Sequence, residues 1–214
     1  MLVFAGLAGT GVVQAQTKKV FQRKDVHGQA VQTPYITYEE FRSVLVRTPG
    51  GQVPLRKLLS VSSLEEVSRL LGQPESIERN EDPDDKSFSA KLHYEGKTTL
   101  EYVATSDGKT VSLSSIKLWS PGWSLKIGDT NLHPGMEVDS LSPAVRQSIS
   151  AGSWFSEHGI DHFGSVDVMK PGAAAKAAGR AEEKLLQRGK AEFTVHIDRK
   201  AGTVEVVQFT RIPF

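Results

Sequence analysis

Cysteine is absent from the 214 residues. That absence excludes disulfides, thiolate zinc sites, cysteine nucleophiles and anchoring through a lipidated cysteine. A large excess of either sign of charge is missing too. The 26 Lys and Arg stand against 25 Asp and Glu, for a formal net charge of +1. Phosphate-seeking surfaces are normally basic, so nucleic acid is not an expected partner. No apolar run reaches the roughly 20 residues that a spanning helix needs, so no membrane span is expected. Walker, Rossmann and Gly-x-Ser-x-Gly patterns are all lacking. No cofactor is therefore read from the sequence, and no activated hydroxyl stands out.

What is present begins with an uncharged stretch, MLVFAGLAGTGVVQAQ, at Met1–Gln16. It resembles the later part of a secretory signal, with Val13 and Ala15 at the small-residue positions before a cleavage site. A basic leading segment is missing from it. Residues 1–16 are thus expected to be a signal peptide, and the protein to be periplasmic or secreted by a bacterial cell. Residues 17–36 are polar and without period, with Lys18, Lys19, Arg23 and Lys24 among them. They read as a flexible lead-in.

Two helix signals follow. Thr37 and Glu40 have capping-box spacing, and Phe41, Val44 and Leu45 fall on one side, which predicts a short helix over Thr37–Val46. Ser63 and Glu66 repeat that spacing before Leu64, Val67, Leu70 and Leu71, with Gly72 and Pro74 as stop signals. Strands come next. Phe88, Ala90, Leu92 and Tyr94 alternate with polar residues, and so do Leu100, Tyr102 and Ala104. Asp107-Gly108 reads as a hairpin turn. Val111 and Leu113 then Ile116 and Leu118 alternate in opposite parity, which predicts a β-bulge near Ser114-Ser115. Leu125 and Ile127 fit a short extended segment. Further on, Ser142–Ile149 and the Ala-rich Ala173–Gln187 read as helices, with Ser153–Gly164 as loop between them. Phe193, Val195 and Ile197 alternate, Arg199–Gly202 turns, and Val204–Arg211 returns as a strand. The expected fold is α+β: an antiparallel sheet with helices packed on one face. Residues 37–124 and 125–214 are read as two unequal helix-plus-hairpin repeats.

Leu70-Leu71-Gly72-Gln73-Pro74, Leu92-His93-Tyr94-Glu95-Gly96, Leu100-Glu101-Tyr102 and Asp107-Gly108-Lys109 together resemble one repeat of the β-lactamase-inhibitor-protein-like superfamily. That group includes the small outer-membrane assembly lipoproteins of the SmpA/OmlA type. The resemblance covers about residues 62–118. Ile127-Gly128 with Gly135-Met136 is similar to the opening of a second copy, but no Leu-Gly-x-Pro follows it. The resemblance implies an exported, non-catalytic binding module with a concave sheet, and it specifies no partner. The lipidated cysteine of those lipoproteins has no counterpart here.

Candidate contacts lie on the wet side of the strands and at the aromatic corner. Lys91, His93, Glu95 and Glu101 offer mixed charge, as do Glu192, Thr194, His196 and Asp198. Trp119 and Trp123 flank Ser120-Pro121-Gly122, where they serve either as binding anchors or as plugs at the end of the sheet. His158 and His162 would share a helix face and so form half of a zinc site, with Gly159 against the helix. Glu75, Glu78, Glu81, Asp82, Asp84 and Asp85 lack the spacing of a calcium loop and read as a solvated connection. The leading expectation is a protein-binding module whose partner is another protein. The alternatives are a small-ligand pocket between helices and sheet, or a metal-dependent hydrolase at His158 and His162.

Overall fold

The computed structural model describes residues 20–24, 30–34, 38–81, 87–104, 110–141, 146, 160–167 and 189–213. For 20–24, 30–34, 38–39, 160–167, 189–190 and 212–213 the description is of the backbone. The expected leader, the Asp107-Gly108 turn, the Ala173–Gln187 helix and, Arg146 apart, the Ser142–Ile149 helix lie outside the described residues. The chain runs β1 (Val20–Lys24), β2 (Ala30–Pro34), α1 (Tyr38–Arg42), β3 (Leu45–Thr48), β4 (Gly51–Pro54), α2 (Leu55–Leu59) and α3 (Leu64–Leu71). It continues through β5 (Ser76–Glu81), β6 (Phe88–Tyr94), β7 (Thr98–Ala104), β8 (Val111–Leu118), β9 (Ser124–Ile127) and β10 (Thr130–Leu132). The last strands are β11 (Ile160–Asp167), β12 (Gly189–Asp198) and β13 (Thr203–Pro213).

Alternation dictates the main sheet. Seven strands lie in the order β11-β12-β13-β8-β7-β6-β5, each antiparallel to its neighbours. One register row crosses five of them as Leu92, Leu100, Ile116, Phe209 and Phe193. All five side chains are fully buried. Burial of this kind contributes about 1.5–3 kcal/mol for each large apolar side chain. The expected bulge is present: Glu101 pairs with Ser115 but Tyr102 with Leu113, leaving Ser114 as the extra residue. A second bulge falls at Glu205, between the His196–Val206 and Ile197–Val204 pairs. Each one reverses side-chain parity, so Leu113 and Ile116 in β8, and Val204 and Val207 in β13, all keep to the core face, while Val206, opposite His196, is buried on the other face.

The helices and a smaller sheet cover that face. The smaller sheet has four strands, β10-β9-β3-β4. Phe41 of α1 meets Phe193 edge-on, with ring centroids 6.3 Å apart. The Tyr102 hydroxyl donates to the Leu58 carbonyl of α2 at 3.3 Å. In α3, Leu64 and Val67 are buried, and Leu70 and Leu71 pack partly against the same core. Its cap differs in one detail from a simple capping box. The Glu66 N–H donates to Ser63 Oγ at 3.4 Å, and the Glu66 carboxylate accepts its short bond, 2.7 Å, from the N–H of Ser62, one residue before the cap. The fold is α+β, mostly antiparallel sheet with few helices.

Several local expectations are corrected. The helix expected over Thr37–Val46 stops at Arg42, because Leu45 and Val46 pair with β4 and β9 instead. β-Branched Val44 and Val46 suit a strand better than a helix. Residues 76–81, expected within a solvated connection, form β5 on the sheet edge. The expected loop Ser153–Gly164 becomes β11 from Ile160 onward. Within the expected lead-in, β1 and β2 pair as a hairpin. Strands from residues 37–124 and 125–214 share both sheets, since β3 pairs with β9 and β8 with β13.

Candidate interaction surface

The face opposite the core is built by the same alternation. Two polar register rows cross the sheet side by side. One runs Lys91, Glu101, Ser115, Thr210 and Glu192, and the other His93, Thr99, Lys117, Gln208 and Thr194. Lys91, His93 and Glu101, which the sequence put forward, are therefore brought together on three adjacent register positions. Glu95 is exposed in the 3-10 turn at Glu95–Lys97, where β6 ends.

Short polar contacts order this face without closing it. Ser115 Oγ donates to Glu101 Oε2 at 3.3 Å. His93 Nε2 lies 3.5 Å from Glu78 Oε2, with both side chains substantially accessible. Gln208 Nε2 donates to Thr210 Oγ1 at 2.9 Å. The Lys117 ammonium sits 4.8 Å from the centre of the Trp119 ring, within cation–π range. Exposed ion pairs contribute little to stability, so this arrangement fixes side-chain positions more than it holds the fold.

The two tryptophans part company. Trp119 is 36% exposed, two residues beyond Lys117 on the polar face. Trp123 is 2% exposed and lies on Tyr94, with ring centroids 5.2 Å apart. Of the two roles weighed for it, Trp123 thus takes that of the plug at the end of the core and is not presented as a contact. Val103, which the sequence reading passed over, is 41% exposed. It pairs with Ser89 and Ser112, at the opposite end of the polar face from Trp119. The missed signal was an apolar residue at a polar parity of β7. Lys117 was missed for a related reason, since its face is set by the bulge at Ser114.

The remaining candidates do not assemble into a site among the described residues. His162 lies in β11 opposite Thr194, so the helix that would have aligned it with His158 is not formed there. His158 itself lies outside the described residues. Among the described residues no group of three His, Asp or Glu is placed to hold a metal ion. A notch of about 310 Å³ opens between α2 and α3, lined by Lys57, Ser60, Val61, Glu66, Arg69 and Leu70. It lies between two helices and not between helices and sheet, where a pocket was expected. Hydrogen bonds from Ser62 hold the Glu66 carboxyl below its usual range.

The molecule is an α+β domain with one packed sheet face and one wide polar face. Compared with family models, curated proteins and solved structures, the chain matches none. No described helix is long and apolar enough to cross a membrane.

Proposed function

We propose that this is an exported, non-catalytic protein-binding module whose contact surface is the polar sheet face. One observation carries the reading. Val103 and Trp119 are exposed at opposite ends of the rows that hold Lys91, Glu101, His93 and Lys117. Apolar anchors around ordered charges suit a protein partner, because aromatic and aliphatic anchors supply affinity and charge pairs supply register. Export rests on the apolar Met1–Gln16 stretch, and the resemblance over residues 62–118 agrees with both parts of the reading.

The test is capture of a discrete partner from a native envelope fraction. Wild-type protein is expected to retain it. Trp119→Ala and Lys91→Glu are expected to lose it, and Lys57→Ala, on the far side, to keep it. Equal capture by all four proteins overturns the reading. The mass of the mature N-terminus tests export, with cleavage after Ala15 as the expected result. The small-ligand alternative draws on the α2–α3 notch, whose volume reaches the lower end of ligand sites, about 300 Å³.

A further inference from the structure

Among the described residues nothing pairs with the outer edge of β5. All six residues of Ser76–Glu81 are exposed, and β6 is their one strand neighbour among the described residues. Edges of this kind are normally guarded by proline, a bulge, lysine or an outward charge. Ser76–Glu81 contains no proline, glycine or lysine. Its pairing with β6 runs without a register shift. Its two central charges turn back onto β6: Glu78 lies 3.5 Å from His93, and the Arg79 guanidinium stands 5.4 Å from the centre of the Phe88 ring. Ile77 shares a register row with Leu92, on the core side, yet Ile77 is 43% exposed where Leu92 is fully buried. A strand added at this edge would cover Ile77 and satisfy a row of backbone groups.

We propose that the added strand is β5 of a second copy of this chain, paired antiparallel about a two-fold axis through Ile77. Such an axis stands normal to the sheet and keeps like faces together. Ile77 then meets the copy's Ile77, Ser76 meets the copy's Glu78, and Glu75 meets the copy's Arg79. The apolar contact is flanked by a hydroxyl–carboxylate pair and an ion pair, each occurring twice by symmetry, with no like charges opposed. An axis through Glu78 would set carboxylate against carboxylate. One through Arg79 would set guanidinium against guanidinium. The paired stretch is short and buries well under the about 1,000 Å² of a long-lived interface, so this dimer dissociates on dilution.

The experiment is sedimentation of the full chain over roughly a hundredfold range of concentration, reaching the millimolar affinities of weak dimers. Wild-type protein is expected to pass from monomer to dimer. Glu75→Arg and Arg79→Glu are each expected to raise the dissociation constant roughly tenfold, and the double exchange to restore it. Ile77→Lys, which installs an edge guard, is expected to remain monomeric. Thermal melts of the same samples show that the variants are folded. A wild type that stays monomeric throughout overturns the proposal. So does a dimer indifferent to these substitutions, or a double exchange that dimerises no better than the single ones.

Discussion

Gly96 and Ser120 are in such close approach that a Cβ on Gly96 would overlap the Ser120 Cβ and stand 2.8 Å from its Oγ. The contact joins the β6–β7 turn to the connection between β8 and β9. Gly96 also has φ 68°, in the left-handed region that costs other residues about 1–2 kcal/mol. Gly96→Ala is therefore expected to destabilise the protein by about 1–3 kcal/mol. Adding Ser120→Gly should relieve the overlap and leave roughly 1 kcal/mol of backbone cost. Urea unfolding of the single and double variants measures both parts, and an unchanged midpoint for Gly96→Ala would contradict them.

The tryptophans at positions 119 and 123 are expected to separate binding from stability. Trp123→Ala empties a buried site against Tyr94 and should cost about 3–5 kcal/mol. Trp119→Ala removes a partly exposed ring and its Lys117 contact, and should cost under about 1 kcal/mol. Melting temperatures of the two variants check the split.

Alkaline pH should unfold the protein through its tyrosines. Burial pushes the Tyr94 hydroxyl up from 10.0 to about 12, and burial followed by the nearby Tyr94 raises Tyr102 further. Both groups are held neutral in the fold, so their stabilisation is full below pH 10 and is lost as pH rises through the folded values. Phenolate absorbance is expected to appear together with loss of structure, and Tyr94→Phe to lessen the slope of stability above pH 10. Free titration of every tyrosine near pH 10 in the folded protein would refute this.

At the acid end the sign reverses. Hydrogen bonds from Ser62 favour the Glu66 carboxylate and lower its pKa from 4.5. Its contribution is therefore present above pH 4.5 and lost as pH falls through the lower folded value. Glu66→Gln is expected to melt below the wild type at neutral pH and to converge with it in acid. A gap that persists unchanged into acid would assign the effect to packing.

Patterns confined to one face were legible in the sequence. α3 was readable because Ser63 caps it and Leu64 and Val67 recur at helical spacing. β6 to β8 were readable because their core is on one side only, and the slip of parity at Ser114 revealed the bulge. β5 was hidden because an edge strand with every side chain exposed has no alternation to show. α2 was hidden because five residues, of which Leu55, Leu58 and Leu59 are buried, are too few to display a period. The pairings of β3 with β9 and of β8 with β13 join distant segments, and no local pattern encodes them. The candidate surface was half legible: Lys91, His93 and Glu101 follow from parity and Trp119 from its place beside Pro121-Gly122, whereas the joining of these residues into one face with Val103 and Lys117 needed the register.

The position of β13 between β8 and β12 has a consequence for biogenesis. As the polypeptide leaves the ribosome, β5 to β8 emerge as a nascent meander whose β8 margin must wait for Thr203–Pro213. Throughout that interval Leu113, Ile116 and Leu118 lie beside an unsatisfied backbone, the situation in which a growing chain is prone to clump. The late strand thus acts as a keystone: until it arrives, the β8 margin of the sheet stays open.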